Sequence, residues 1–226
     1  MIDPALTAAW ELMGRRFRAH PWHGVPIGEQ APDIVTSFIE IVPDDPVKFE
    51  VDKASGYLKV DRPQQYSNVC PTMYGFIPQT YCGDAVAALC AASIGRANVL
   101  GDGDPLDICV LSEKAISHGD ILVEAIPIGG LRVLDRDEAD DKVIAIMAGD
   151  IVYGGYRDIS DCPEQILDRI KHYFVTYKQQ PTTGDSSIEV AGVYGAEEAR
   201  EVIRCSQRDY TAKFGTIRLD VHAPPE

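Results

Sequence analysis

Short segments in which polar and apolar residues alternate occupy most of the chain from about Val35 to Met147. Alternation with a period of two places every second side chain on one face, which is typical of β-strands with one buried side. Helical spacing of apolar residues appears mainly later, in two longer segments. Strands followed by helices predict an α+β fold that is mainly β: an antiparallel sheet or barrel with helices packed against it.

The predicted elements can be assigned to individual stretches of sequence. Strand patterns occur in TSFIEIV, VKFEV, YLKVDR, ICVL, DILVEAIPIGGLRVLD, KVIAIM and IEVAGV. Helical patterns occur in CPEQILDRIKHYFVTYK and AEEAREVIRCSQRDYTAKF. Asp161 and Glu164 have the spacing of a capping box before the first of these helices. The apolar residues within 6–17 predict a further, short amphipathic helix near the N-terminus.

Composition and charge restrict the class of protein. The chain has 226 residues, without repeats or low-complexity linkers, which predicts one domain over 1–226, with an N-terminal extension (1–33) and a C-terminal helix end and tail (205–226). A net charge of -14 repels polyanions, so nucleic-acid binding is not expected. No apolar run reaches the roughly 20 residues that span a bilayer, and no signal peptide is indicated. Six scattered cysteines without a CxxC pair then predict reduced thiols and a cytoplasmic, non-membrane protein.

The segment GDGDPLDICV brings three carboxylates together on a glycine-rich turn. Asp102, Asp104 and Asp107 lie within six positions and repel one another unless a cation lies between them. Carboxylates without nearby His or Cys favour hard divalent cations such as Mg²⁺ or Mn²⁺. An EF-hand is excluded, since its fifth and sixth positions would be Leu106 and Asp107 instead of an oxygen ligand and a glycine.

A second acidic cluster lies between two predicted strands, in the sequence DRDEADD. By itself this sequence is typical of a polar hairpin turn, but together with the first cluster it could complete a site for several metal ions. An anionic substrate would also need cations, and Lys48 shares a strand face with Glu50. The other basic or hydroxyl candidates are Arg62, Lys142, Tyr177 and Lys178. Spacing alone does not gather these residues into one pocket.

Several of these segments, in this order, resemble the soluble (family I) inorganic pyrophosphatases. The shared blocks are EIVPDDPVKFEVDKASGYLKVDR, YGFIP, GDGDPLDICVL, DRDEADDK and HYFVTYK, over roughly residues 34–204. The DGDPLDI element resembles the signature of that family. The HPWHG start and the insert after PQTYCGD resemble a branch found in chlamydiae and some protists.

The resemblance implies a role for each matching residue. The implied metal ligands are Asp102, Asp107, Asp140, Asp135 and Glu50. The implied ligands of phosphate oxygens are Lys48, Arg62, Tyr74, Lys142, Tyr177 and Lys178, with Arg62 and Tyr74 also assisting catalysis. Asp104 would be the general base that takes a proton from the attacking water. Glu40 would be an acid lying behind the metal ligands.

The resemblance also implies the fold, cofactor and assembly. The fold would be an OB-like five-stranded antiparallel barrel with two main helices. The activity would be hydrolysis of pyrophosphate to two phosphates by direct attack of metal-activated water, with several Mg²⁺ ions per site, Mn²⁺ or Zn²⁺ as possible substitutes and Ca²⁺ as an inhibitor. The chain would form a homo-oligomer, either a dimer or a hexamer.

Two features depart from the common bacterial pattern. Cys70 stands where many members have a tyrosine that hydrogen-bonds phosphate, and the Ala-rich insert over residues 85–100 precedes the catalytic loop. This insert could add helix, shield the cleft or form an interface. Two rival functions remain open: a metal-dependent phosphohydrolase acting on nucleotides or organic diphosphates, and a non-enzymatic OB-type binding module.

Overall fold

The computed structural model describes residues 17–43, 45–179 and 187–215. These residues form ten strands, three α-helices and one 3-10 helix. The strands are β1 Val35–Ile41, β2 Val47–Val51, β3 Leu58–Pro63, β4 Met73–Phe76, β5 Leu100–Gly101, β6 Asp107–Leu111, β7 Ile121–Asp135, β8 Glu138–Ala139, β9 Lys142–Met147 and β10 Ile188–Gly195. The helices are α1 Asp84–Ile94, α2 Glu164–Thr176 and α3 Ala196–Phe214, and the 3-10 helix is Ile159–Asp161.

Five strands close into a ring in the order β1, β4, β6, β9 and β7, with β7 pairing back to β1. This closed ring confirms the OB-like fold predicted from the sequence. Four of its pairings are antiparallel, but β6 and β9 are parallel, a pairing that an all-antiparallel barrel does not have. Parallel neighbours need a long connection to bring the chain back to the same edge, and β7 lies within the connection between β6 and β9.

Shorter strands extend the ring where the acidic segments lie. The β2–β3 hairpin forms a separate two-stranded sheet, and β10 pairs with the outer part of β7. The two-residue strands β5 and β8 pair in parallel, so Gly101 lies opposite Ala139. This pairing brings the glycine-rich loop beside the second acidic segment.

The core lies on both sides of the ring wall. Long apolar side chains of β7, including Ile128, Leu131 and Leu134, are fully buried. One cluster packs the ring against α1 and α3, through residues such as Val86 and Val202. A second cluster packs it against α2. The fully buried strand residues explain why the ring is rigid enough to carry side chains of a site at its edge.

The helices differ from the sequence prediction in two ways. The insert forms α1, an 11-residue helix packed against α3, so the described chain has three helices where two main ones were expected. The predicted capping box of Asp161 and Glu164 is wrong: α2 follows Pro163 without a side-chain cap. Asp161 instead forms a capping box with Asp158 across the 3-10 helix, in which the side chain of each residue accepts a hydrogen bond from the backbone N–H of the other. The chain turns there before α2 begins.

Three other expectations concern the N-terminal segment, membrane-spanning helices and the cysteines. The N-terminal helix predicted within 6–17 lies almost wholly outside the described residues. Among the described helices, none combines the length and the apolar character that crossing a membrane requires. All six cysteines are buried and have free thiols, in agreement with the prediction from their scattered spacing.

Candidate active site

A cleft of about 220 Å³ opens at one edge of the ring. It lies between the β2–β3 hairpin, the loop before β6, the acidic turn between β7 and β9, and the end of α2. The predicted site residues that line it are Glu40, Lys48, Glu50, Tyr74, Asp102, Asp104, Asp107, Asp135, Asp140, Lys142, Tyr177 and Lys178. Segments that are far apart in sequence therefore place their functional side chains around a single space.

The glycine-rich loop brings its aspartates to this cleft through backbone hydrogen bonds. Gly103 has a φ of +77°, in the left-handed region that glycine adopts readily, and its N–H donates to the carbonyl of Cys82. The N–H of Asp104 donates to Oδ1 of Asp102 at 2.9 Å. These contacts hold the loop tightly enough that Asp102, Asp104 and Asp107 all line the cleft.

Lys142 lies between two of the carboxylates. It is opposite Asp107 in the parallel β6–β9 register, and its ammonium donates to both Asp107 and Asp140. Burial alone would lower the pKa of Lys142, but the two carboxylates hold that pKa well above its usual range. Tyr74 donates its hydroxyl hydrogen to Asp107 as well. The floor of the cleft is thus a compact group of alternating charges.

Crowding and burial change the protonation of the remaining acids. Burial and the neighbouring Asp140 raise the pKa of Asp102 to about 8. Burial also raises the pKa of Glu40 to about 8, although its Oε1 accepts a hydrogen bond of 2.6 Å from the N–H of Val51. A cation bound nearby would stabilise the charged form of these carboxyl groups and lower their pKa.

The donor chemistry of the cleft fits a divalent metal ion. All the acidic groups offer oxygen, which hard cations such as Mg²⁺ prefer. As the side chains stand, however, no three Asp, Glu, His or Cys groups within the described residues are close enough to hold an ion together. Lys142 lies between Asp107 and Asp140, so an ion shared by these two carboxylates would compete with the lysine for them.

Two further lysines of the cleft pair with acids outside the Asp102–Asp107 loop. Lys48 is 3.2 Å from Asp61 and 4.0 Å from Glu50, and Lys178 donates to Asp135 at 2.7 Å. The Lys178 contact lowers the pKa of Asp135 despite partial burial. Lysines therefore lie among the carboxylates around the cleft, an arrangement that suits a compact anion carrying cations.

Arg62 is the one predicted site residue that does not line the cleft within the described chain. Its guanidinium lies over the Tyr177 ring, 5.6 Å from the centroid, and donates to Asp61 at 2.7 Å. Its Nη2 is buried and has no hydrogen-bond partner among the described residues. Arg62 thus lies next to the cleft, in contact with the lining residue Tyr177, and its Nη2 donor is not used by any described residue.

Six residues that line the cleft are not among the predicted site residues, and three of them, Lys53, Trp22 and Glu138, have polar groups in their side chains. Lys53 pairs with Asp104, but its segment DKASG was interpreted only as a turn. Trp22 lines the cleft from the HPWHG segment, and Glu138 from the second acidic segment. A lysine three residues beyond Glu50 on a hairpin was the only available signal for Lys53, and it is a weak one.

The two departures from the common pattern lie away from the cleft surface. Cys70 is buried and lies close to the carbonyl of Thr72, with the sulfur 3.4 Å from the oxygen. Burial raises the pKa of its thiol to about 11, so it stays protonated near neutral pH. No residue of α1 lines the cleft in the described structure, so the insert does not cover it.

Comparison with known proteins agrees with this geometry. The family model described as inorganic pyrophosphatase matches residues 37–211. An inorganic pyrophosphatase of Chlamydia trachomatis is 52% identical over 200 residues, covering 87% of this chain and 96% of that protein. A soluble inorganic pyrophosphatase of Chlamydomonas reinhardtii is 38% identical, covering 89% and 93%.

Solved structures lead to the same family. The crystal structure of the Thermus thermophilus inorganic pyrophosphatase is 30% identical and superposes with a TM-score of 0.71, covering 86% of this chain and 99% of that one. The family-model match over residues 37–211 includes most of β1, the other four ring strands and the segments of the β2–β3 hairpin, the glycine-rich loop and α2 around the cleft. The chain therefore belongs to the inorganic pyrophosphatase family, whose members are metal-dependent enzymes that hydrolyse pyrophosphate to phosphate.

Proposed function

We propose that this pyrophosphatase uses Mg²⁺ as its metal, and that the residues lining the cleft divide into metal ligands, phosphate ligands and one general base. The observation that carries the proposal is the mixture of charges in a single cleft: carboxylates of the loop before β6 and lysines on β2, on β9 and after α2 all line it. Pyrophosphate is a small polyanion, and its hydrolysis requires charge neutralisation on both phosphates.

The metal ligands we propose are Asp102, Asp107, Asp140, Asp135 and Glu50. When bound there, Mg²⁺ would neutralise phosphate oxygens and make a water molecule more acidic. Mn²⁺ or Zn²⁺ could substitute. Ca²⁺ shares the oxygen preference but is larger and less exacting in its geometry, so we expect it to inhibit.

The chain's own side chains would bind the substrate and move the proton. Lys48, Lys142, Lys178 and Arg62 supply positive charge to phosphate oxygens, and the hydroxyls of Tyr74 and Tyr177 donate hydrogen bonds. Asp104 is partly exposed in the cleft, with 43% of its side chain accessible, so it could reach a water molecule and accept its proton. No phosphoenzyme is needed, because the attacking water reacts directly with a phosphoryl group. Glu40, on β1, supports the site by accepting a hydrogen bond from the N–H of Val51 on β2.

Phosphate release tests this proposal against its two rivals. We expect rapid release from pyrophosphate with Mg²⁺, little release in EDTA, and inhibition when Ca²⁺ is added. A nucleotide or organic diphosphate hydrolysed faster than pyrophosphate would favour the first rival. Binding of phosphate compounds without any turnover would favour the non-enzymatic OB-type module.

Asp104→Asn tests the general base directly. The amide keeps the shape of the side chain but does not accept the proton, so we expect kcat to fall by about 100-fold or more. Mg²⁺ binding, followed by calorimetry, should largely survive. Asp137→Asn is a matched control, since Asp137 is an exposed acid of the second cluster that does not line the cleft. Wild-type turnover in Asp104→Asn would remove Asp104 from this role.

We also propose a homo-oligomer, either a dimer or a hexamer. Ile151 and Val152 are adjacent in the chain and expose 94% and 55% of their surface, and exposed apolar neighbours of this kind support an interface on the outer surface. Size-exclusion chromatography with light scattering would measure the mass, and a strictly monomeric enzyme would contradict the proposal.

A cytoplasmic location is the last part of the proposal. Free thiols at all six cysteines are typical of proteins from reducing compartments. Cell fractionation with detection of the native protein would test this location.

A further inference from the structure

Lys53 is a lining residue of the cleft that the proposed machinery does not use. It lies on the turn between β2 and β3, and its ammonium pairs with Oδ1 of Asp104. Oδ2 of Asp104 makes no hydrogen bond within the described part of the chain, so one oxygen is fixed and the other is left to accept a proton. The side chains are partly exposed, at 47% for Lys53 and 43% for Asp104.

The backbone of Lys53 is held from outside the hairpin. The N–H groups of Trp22 and His23 donate to Nδ1 of His20, at 3.2 and 3.4 Å. Nδ1 is therefore unprotonated, and the hydrogen of the ring lies on Nε2. Nε2 of His20 is 3.2 Å from the carbonyl oxygen of Lys53, to which it donates.

Close packing accompanies this hydrogen bond. Gly56, on the same turn, has a φ of +75°, and a Cβ placed there would lie 2.8 Å from the His20 ring and 3.0 Å from the ring of Pro21. The turn can approach the HPWHG segment (residues 20–24) this closely only because position 56 carries no side chain.

The HPWHG segment is in turn fixed to the body of the protein at two points. Nε1 of Trp22 donates to the carbonyl of Thr80 at 2.7 Å. Nδ1 of His23 is 2.8 Å from the hydroxyl of Tyr210 on α3. The segment thus connects the β2–β3 turn to both the ring and α3, and limits where the Lys53 backbone can lie.

We infer that Lys53 is a positioning residue for the hydrolysis reaction: held by the HPWHG segment, it fixes the Asp104 carboxylate in the orientation from which it takes the proton. This inference rests on the base role proposed for Asp104. A half-exposed ion pair contributes little to folding stability, so its geometry matters more than its energy. Proton transfer depends steeply on the placement of the accepting oxygen, and small displacements are costly in rate.

A different role for Lys53 would give different kinetics. If Lys53 bound a phosphate oxygen of the substrate equally in the ground and transition states, its loss would raise KM and leave kcat unchanged. If it only positions Asp104, its loss lowers kcat and leaves KM nearly constant.

Steady-state kinetics of Lys53→Gln and Lys53→Arg in the full-length enzyme with Mg²⁺ separate these roles. We expect Lys53→Gln to lower kcat about tenfold with KM changed by less than about twofold, since misplacement of a catalytic group acts on the chemical step. Lys53→Arg keeps the charge and should recover most of the rate. Lys59→Gln is the matched control: Lys59 is on β3 of the same hairpin, is 52% exposed and, among the residues that the structure describes, forms its ion pair with Asp52, 3.5 Å away.

A double-mutant cycle completes the test. Adding Lys53→Gln to Asp104→Asn should cause no further loss of kcat, because the group being positioned is already inactive. Additive losses, a change in KM alone, or unchanged kcat in Lys53→Gln would each overturn the inference. Wild-type enzyme assayed in parallel separates a failure of this inference from a failure of the proposed function. If the wild-type enzyme shows no Mg²⁺-dependent turnover, the proposed function itself is contradicted.

Discussion

At the scale of single residues, the acids around the cleft differ because their surroundings differ. Glu40, on β1, is almost fully buried, and burial raises its pKa to about 8. Asp135 is more exposed and contacts Lys178, and its pKa is lowered. Two carboxyl groups of similar chemistry are therefore protonated over different ranges of pH. Burial decides the first case and a hydrogen-bonded cation the second.

Glu40 should make the stability of the metal-free protein depend on pH. Its folded pKa lies above the unfolded value of 4.5, so the folded state binds an additional proton between about pH 4.5 and 8. The free energy of unfolding therefore falls as pH rises through this range, by on the order of a few kcal/mol from this group. Glu40→Gln keeps an oxygen for the Val51 N–H but does not ionise, so its stability should fall less over the same range.

Urea denaturation of both proteins in EDTA, at several pH values, measures this difference. Comparing the two proteins removes the contribution of other titrating acids, such as Asp102 and Asp141, which they share. Parallel curves for wild type and Glu40→Gln from pH 4.5 to 8 would contradict the expected effect.

At the scale of elements, the inserted helix α1 depends on a side chain from α3. The carboxylate of Asp209 accepts hydrogen bonds from the N–H groups of Gly83, Ala85 and Val86, at 3.0, 2.9 and 3.0 Å. These are N–H groups at the start of a helix, which have no partner within the helix itself. A residue more than 120 positions away thus supplies the cap that the local sequence lacks.

Asp209→Ala should loosen α1 before the rest of the protein. Three buried or partly buried N–H groups lose their acceptor, which should cost about 1–3 kcal/mol in stability. Hydrogen exchange should show faster exchange over residues 84–94 than over the ring strands. Glu197→Ala is the control on the same helix, because its side chain is 86% exposed. Equal exchange in wild type and Asp209→Ala over α1 would argue against this cap.

At the scale of the whole molecule, a buried ion pair joins the ring to α3. Arg132 on β7 is 2% exposed and donates to Asp141, which is 1% exposed, and to Glu198 on α3. Its guanidinium also lies 4.7 Å from the centroid of the Tyr194 ring. Ser93 of α1 donates to the same Glu198 at 3.1 Å. One arginine therefore connects ring, β10, α3 and, indirectly, the insert.

Replacing Arg132 with methionine should destabilise the protein strongly. Asp141 would keep its buried position without its cation, and breaking a buried pair in this way typically costs about 3–5 kcal/mol. Urea unfolding measures the loss. The double variant Arg132→Met with Asp141→Leu removes both charges and should recover most of the stability. A single variant as stable as wild type would show that Arg132 is not needed to compensate Asp141.

The sequence by itself determined most of the segments that become strands, both late helices, and the types of side chain that the site contains. It did not predict β4, a four-residue ring strand too short to show a clear alternation, or the two-residue strands β5 and β8. Alternation and helical spacing report which face of an element is buried, and this is a local property of the chain. For that reason the limits of α3 match the predicted segment AEEAREVIRCSQRDYTAKF, and the aspartates of GDGDPLDICV were identified before any fold was known.

The tertiary structure alone decided which of these elements and side chains meet. The parallel pairing of β6 with β9 places Lys142 opposite Asp107, and the fixed β2–β3 turn places Lys53 on Asp104. The tertiary structure also places Arg62 against the ring of Tyr177, at the border of the cleft and not in its lining. These contacts depend on strand register and ring closure between segments distant in sequence, and local periodicity contains no information about either.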